Sequence, residues 1–218
     1  MEDTRANNLE RMRQIAHAEA LVTEKNIGGT IHIVNSLASV LESMKQSGDA
    51  DRGKADQIIH QMLANNPDIL GLWTGWEPNA FDGKDADFAN REGHDATGRY
   101  IPYWVRSGGK ISNTALTEYA TAGPGDYYQL PFTLKKTVVI EPYSYAIDGK
   151  EVLITSIAKP VMVDGKPLGV AGLDLSLDET GKALSTVRPL GSGFVSLVSG
   201  GGKIISHPDA AIMGKSLA

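Results

Sequence analysis

Cysteine is absent from this chain, so neither a disulfide nor a thiolate metal site holds any part of it together. Long apolar runs are absent too. No segment approaches the roughly 18 consecutive apolar residues of a membrane span, and Met1-Glu2-Asp3-Thr4-Arg5 leads into no signal-peptide stretch. Taken alone that reads as cytoplasmic, although an ectodomain cut from between two spans has the same composition. Positive charge is in short supply: 21 Lys and Arg against 26 Asp and Glu leave a net charge of -5. With no basic cluster to offset it, nucleic acid and anionic membrane are excluded as main partners. The constellations of catalysis are missing as well. His17, His32, His60, His94 and His207 show no metal-ligand spacing. No Gly-x-Ser-x-Gly elbow activates Ser196, Ser199 or Ser206, and no phosphate-binding helix follows Gly200-Gly201-Gly202-Lys203. No metal, cofactor or catalytic reaction is expected, which points to a binding domain and not an enzyme.

What is present is ordinary globular composition, 41% hydrophobic and 22% charged over 218 residues, enough for one large domain or two small ones. Residues 4–46 read as one long helix. Ile27, Ile31, Val34, Leu37, Leu41 and Met44 recur at steps of three and four; Leu9, Met12 and Ile15 form a weaker stripe, with Gly28-Gly29 a soft point between. Such a helix serves as a stalk, a dimer seam or a core element. Asp51 caps a second helix to about Ala64, Asn65-Asn66-Pro67-Asp68 turns, and residues 69–76 form a buried strand. A polar loop over 77–98 is long enough to cover a site. Residues 99–105 make a strand that Pro102 assigns to an edge or a bulge. Residues 117–128 contain a short helix and the Ala122-Gly123-Pro124-Gly125 turn; 137–140, 152–157 and 168–175 are further strands, with hairpin turns at Asp148-Gly149 and Asp164-Gly165. The fold class is α+β, a meandering antiparallel sheet with helices in front of it. After Leu177 a helix over 178–187 and strands at 193–198 and 204–206 begin another module. The expected division is 1–47, 48–177 and 178–218.

Function is concentrated in the apolar strand Gly169-Val170-Ala171-Gly172-Leu173-Asp174-Leu175-Ser176-Leu177, whose lone acid is costly to bury unless a positive group meets it. Upstream aromatics are numerous enough to wall a small pocket, and aromatic walls with one carboxylate suit a small cationic or amine-bearing ligand. The candidate ligand-binding residues are Trp76, Tyr103, Trp104, Asp126, Tyr127, Tyr143, Tyr145 and Asp174. Tyr143 and Tyr145 share a face of any regular strand. Trp73 competes with Trp76 for the inward position. Asp126 either helps hold ligand or braces its turn, and Asp126 and Glu141 are the nearest candidates for a second acid.

The order of these elements resembles the double Cache ligand-binding domains of bacterial chemoreceptors, PAS-like sheet modules on a long stalk helix. The most specific matches are Tyr100-Ile101-Pro102-Tyr103-Trp104, Glu141-Pro142-Tyr143, Gly169 to Leu177 and Ile204 to Lys215. The resemblance implies a periplasmic domain between two membrane spans, ligand in the membrane-distal module, and a stalk helix that signals and dimerises. It also implies that Tyr143 and Asp174 hold a ligand amino group. Ile101 stands where amino-acid-binding members have a carboxylate-binding Arg, Arg99 lies two residues early, and Tyr145 replaces an expected Asp. Those departures, with Trp76-Glu77-Pro78-Asn79-Ala80-Phe81-Asp82-Gly83, resemble the branch that senses polyamines and other amines. Purines are the second ligand class and amino acids a third. A sensor kinase or a cyclic-dinucleotide enzyme carries such a domain as readily as a methyl-accepting chemoreceptor does.

Overall fold

The computed structural model describes residues 2–217. Helix α1 (Glu2–Gln46) is followed by α2 (Arg52–Ala64), whose cap Asp51 accepts the Lys54 N–H at 2.8 Å. Strands β1 (Gly71–Trp76), β2 (Pro102–Ser107) and β3 (Lys110–Ala115) precede α3 (Asp126–Leu134). Then come β4 (Val138–Val139), β5 (Tyr143–Ile147), β6 (Lys150–Val163) and β7 (Lys166–Ser176), followed by α4 (Leu177–Ser185), β8 (Leu197–Val198) and β9 (Ile204–Ser206). The main sheet runs β3-β2-β1-β7-β6-β4, with β5 also paired to β6; β8 and β9 form a separate hairpin. The α+β class read from the sequence is the one found.

The period-two alternation of strands gives this sheet two different faces. On the back, Leu72, Trp76, Ile157, Val161, Ala171 and Leu173 pack against Val34, Leu37 and Leu41 of α1 and against Ala55, Ile59 and Leu63 of α2. Only the second half of α1 does this; Leu9, Met12, Leu21 and Val22 of its first half are about half exposed. Opposite Val161/Met162, β7 carries one extra residue, Leu168, as a bulge, and Glu42 of α1 accepts the Met162 N–H at 2.9 Å there. The front face carries Trp73, Tyr103, Val105, Ile154, Ala158 and Val170, covered by Tyr127 and Tyr128 of α3 and by the curled β5.

Three expectations change. Strand β2 is interior, between β1 and β3, and Pro102 is its first residue, where no ladder N–H toward β1 is required. Strand β3 had no sequence signal: Lys-Ile-Ser-Asn-Thr-Ala is polar because it is an edge strand. The 77–98 loop does not cover the site described below. It is held at the other end of the strands by buried Arg52, which donates to Asp82 at 2.7 Å, Asp85 at 2.6 Å and the Gly98 carbonyl at 2.7 Å. Trp76, where this loop leaves the sheet, pairs with Gly169, while Gly71 pairs with Asp174. They are five steps apart along the strand, about 16 Å.

Candidate functional site

Asp174 lies on the front face of β7, 3% exposed. Its neighbours across the ladder are Gly71 of β1 and Ser156 of β6. The Ser156 hydroxyl donates to Asp174 Oδ1 at 2.6 Å, and Trp73 Nε1 donates to the same oxygen at 3.1 Å. Tyr143 extends the chain, its hydroxyl 2.7 Å from Ser156 Oγ. Among the described residues no cation pairs with this carboxylate. Burial therefore dominates and pushes its pKa up to about 6, against the pull of Ser156, Trp73 and Tyr103.

Glycines open the space into which the rings fold. A Cβ on Gly172 would stand 2.2 Å from the Trp73 indole, and one on Gly71 would stand 2.4 Å from the Tyr103 ring. Both glycines are front-face positions, so the missing side chains let Trp73 and Tyr103 lie flat across the sheet beside Asp174. Trp73 meets Tyr127 edge-on at 5.2 Å, Tyr103 meets Tyr145 edge-on at 5.5 Å, and Tyr127 lies parallel to Tyr143 at 6.2 Å. Thr117 pins two of these rings: its backbone N–H donates to the Tyr145 hydroxyl at 3.0 Å, and its carbonyl accepts from Tyr127 at 2.5 Å. Burial raises the phenol pKa values of Tyr103, Tyr127, Tyr143 and Tyr145, and all four stay protonated at neutral pH. The Tyr103 hydroxyl is turned toward Asp174, whose negative charge adds to burial in raising the phenol pKa.

A cavity of about 450 Å³ adjoins this cluster, between β3 and the β5–β6 hairpin. Tyr103 and Tyr145 form its inner wall, Ser112 and Thr114 one side, Ile147 and Asp148 the other. No Lys, Arg or His lines it.

Of the residues singled out from the sequence, Tyr103, Tyr127, Tyr143, Tyr145 and Asp174 come together on the front face. Trp76 and Trp104 lie on the back face: Trp76 packs on Phe81 at 4.8 Å, and Trp104 on His60 at 5.0 Å with its indole N–H on Asp56. Asp126 accepts the Gly123 N–H at 3.1 Å and braces its own turn. Glu141 faces away, taking hydrogen bonds from the Ser199 hydroxyl and from the Gly201 N–H at 2.9 Å in the β8–β9 turn. Arg99 is engaged by Glu77 at 2.8 Å and Tyr128 at 2.9 Å. Trp73, Ser156 and Thr117 belong to the cluster and were not singled out; Trp73 alone had been weighed as an inward ring.

An antiparallel sheet backed by a long helix, with an acid among rings on its other face, is the architecture of a PDC-type sensor domain. Residues 55–182 match the family described as the methyl-accepting chemotaxis protein-like first PDC sensor domain, and the chain belongs to that family. It is 35% identical over 177 residues to the methyl-accepting chemotaxis protein TlpQ of Pseudomonas aeruginosa, across 73% of this chain and 25% of that protein. The chain thus spans about a quarter of that relative's length. Among solved structures it is similar to the extracellular domain of mmHK1S-Z3, assigned to a histidine kinase. There the TM-score is 0.87 and the identity 35%, over 96% of this chain and 74% of that one. The ligand-binding domain of the P. aeruginosa amino acid chemoreceptor PctB, in complex with L-Arg, shares the fold at TM-score 0.67 and 23% identity, over 100% of this chain and 76% of that one. No helix among the described residues is long and apolar enough to cross a membrane.

Proposed function

We propose that this chain is the periplasmic sensor region of a membrane-anchored chemotaxis receptor, that it binds a small organic amine at Asp174, and that it carries out no catalysis. Residues 48–177 form the ligand-binding, membrane-distal module. Residues 178–218 open a second module, and 1–47 are the stalk through which the receptor dimerises and signals. The observation that carries the ligand assignment is the buried, unpaired Asp174 carboxylate with Trp73, Tyr103, Tyr127, Tyr143 and Tyr145 around it. An ammonium supplies the missing counter-charge. A charge-assisted hydrogen bond adds about 1.5–3 kcal/mol and each ring face about 0.5–2 kcal/mol. Together, less the cost of ordering, they reach the micromolar range near about -8 kcal/mol. Tyr103 and Tyr145 belong both to the ring cluster and to the cavity wall, so they are the partition a ligand displaces on its way in.

Amino acids are the second reading, because L-Arg occupies the PctB domain. Their carboxylate finds no cation here: Ile101 is buried, Arg99 is bound to Glu77, and the cavity lining holds no basic residue. Calorimetry of the chain with monoamines, polyamines, amino acids and purines decides between these classes. Amine binding that disappears in Asp174→Asn is the expected result. Amino-acid or purine binding that survives the substitution would overturn the assignment.

A further inference from the structure

On the back of the sheet, away from Asp174, the flank between α2 and β2 forms an open groove of about 510 Å³ lined by Asp56, Gln57, His60, Gln61 and Trp104. Ala55, Ile59 and Leu63 fix α2 against the sheet, which holds the adjoining row of side chains, Asp56 and His60, along the groove. These two are four residues apart on one helix, so their Cβ atoms lie about 5–6 Å apart on the same face. Trp104 touches both: its indole N–H donates to Asp56 Oδ1 at 3.3 Å, and its ring meets His60 edge-on at 5.0 Å. Asp56 has a structural duty too, since the Tyr100 hydroxyl donates to it at 3.0 Å. Both bonds, however, fall on Oδ1. Among the described residues, Oδ2 has no hydrogen-bond donor or ion-pair partner, and neither nitrogen of His60 is hydrogen-bonded.

A free carboxylate oxygen and a free imidazole one helical turn apart are chelating donors. The His-Glu-x-x-His zinc helix sets its two ligands at the same spacing. We propose that Asp56 and His60 bind a divalent transition-metal ion of the zinc and copper class. Imidazole nitrogen favours these ions over magnesium and calcium, which take oxygen ligands. Metal–donor bonds of about 2.0–2.2 Å span the separation without unwinding the helix. The Tyr100 and Trp104 hydrogen bonds hold the carboxylate from behind, as outer partners do for ligating carboxylates. Two protein donors leave the other positions to water, so the ion exchanges freely and does not staple the fold. The other histidines lack this arrangement. His17 and His32 stand exposed on α1 with no acid three or four residues away. Nδ1 of His94 lies 2.6 Å from the Glu92 carbonyl, and Nδ1 of His207 accepts the Asp209 N–H at 3.0 Å. Because the second ligand is a carboxylate, no histidine–histidine spacing marks the site in the sequence.

Trp104 is a built-in reporter, because Trp73 and Trp76 are 1% and 0% exposed and neither lines the groove. The test titrates the 218-residue chain with copper(II) chloride, a short-range quencher of tryptophan fluorescence, with zinc and magnesium chlorides as competitors. Wild type, Asp56→Asn, His60→Gln and His32→Gln are compared. Asn keeps an oxygen for the Tyr100 and Trp104 hydrogen bonds and loses the charge. The expected result is quenching that saturates at one equivalent and is reversed by zinc but not by magnesium. Asp56→Asn and His60→Gln should each need at least tenfold more copper, while His32→Gln should match wild type. Equal midpoints in all four proteins mean an adventitious ion only and overturn the proposal. A loss confined to one of the two groove variants also overturns it, since a lone imidazole or a lone carboxylate is not a chelate. Should Asp56→Asn fail to fold, carbon NMR of wild type decides. The Asp56 carboxyl and His60 imidazole signals must both move with zinc; movement of one alone, or of neither, overturns the site.

Discussion

A carboxylate buried with two hydrogen bonds and no cation is more at ease as the neutral acid, and Asp174 has a pKa of about 6 for that reason. An unfolded chain releases the same proton near pH 4. Between those values the folded domain holds a proton that the unfolded chain has lost, so stability from this group is complete below about pH 4 and is lost as pH rises through 6. The displacement of about two pKa units corresponds to ~3 kcal/mol at most. Thermal unfolding of Asp174→Asn is therefore expected to exceed wild type at pH 7.5 and to match it at pH 4; equal behaviour at both would contradict the unpaired carboxylate. Binding has the opposite sign. An ammonium requires the ionised form, so amine affinity should fall about tenfold per unit below pH 6 in a calorimetric pH series. The residue itself was legible in the sequence, because a lone acid in an apolar strand has few structural uses. Its partner Ser156 was not. Counting back from the Asp164-Gly165 turn, where Val163 pairs with Lys166, sets Thr155 opposite Asp174; the bulge opposite Val161/Met162 moves the register by one and delivers Ser156 instead.

At the scale of elements, the front of the sheet is shaped by what β1 and β7 omit. Gly172→Ala puts a methyl into the Trp73 ring, with no room on either side. Overpacking of this kind costs about 1–3 kcal/mol, and it also swings the indole N–H away from Asp174. Urea unfolding should show the loss, and Trp73 fluorescence should change with it; an unaltered midpoint would mean the ring has other room. Parity explains which aromatics the sequence placed well. Tyr143 and Tyr145 share a face whatever the strand's start, but Trp73 and Trp76 point opposite ways, and so do Tyr103 and Trp104. Only the pairing of Trp73 with Gly172 and with Tyr103 settles which of each pair is inward. The 77–98 loop misled for a different reason: its acids Asp82 and Asp85 look solvated in sequence, yet they neutralise Arg52 inside the fold, 30 or more residues away.

Across the whole molecule, the two sheets meet at Glu141. Its carboxylate takes the Ser199 hydroxyl and the Gly201 N–H, Lys203 Nζ donates to the Pro142 carbonyl at 2.8 Å, and a side chain on Gly201 would strike Glu141 at 2.9 Å. Tyr143, two residues beyond Glu141, is bonded to Ser156 and so to Asp174. Glu141→Ala should raise the hydrogen-exchange rate of the Gly201 and Lys203 amides several-fold and leave Trp73 and its neighbours protected; unchanged exchange at the hairpin would show that other contacts hold it. Amphipathic spacing made the second half of α1 readable as a packed helix, whereas this junction depends on backbone groups of a glycine-rich turn, which carry no pattern.

The one-sided packing of α1 has a mechanical result. The helix has 45 residues, about 68 Å at 1.5 Å per residue, and before Gly28 none of its described side chains is buried. Glu42 fastens the loaded end to Met162 of β6, the strand that also carries Ser156. The arm before Gly28 is about 39 Å long, so a rigid tilt of about 3° at the sheet would carry its far tip through about 2 Å. Small rotations at the sheet are thereby enlarged at the helix tip by leverage alone.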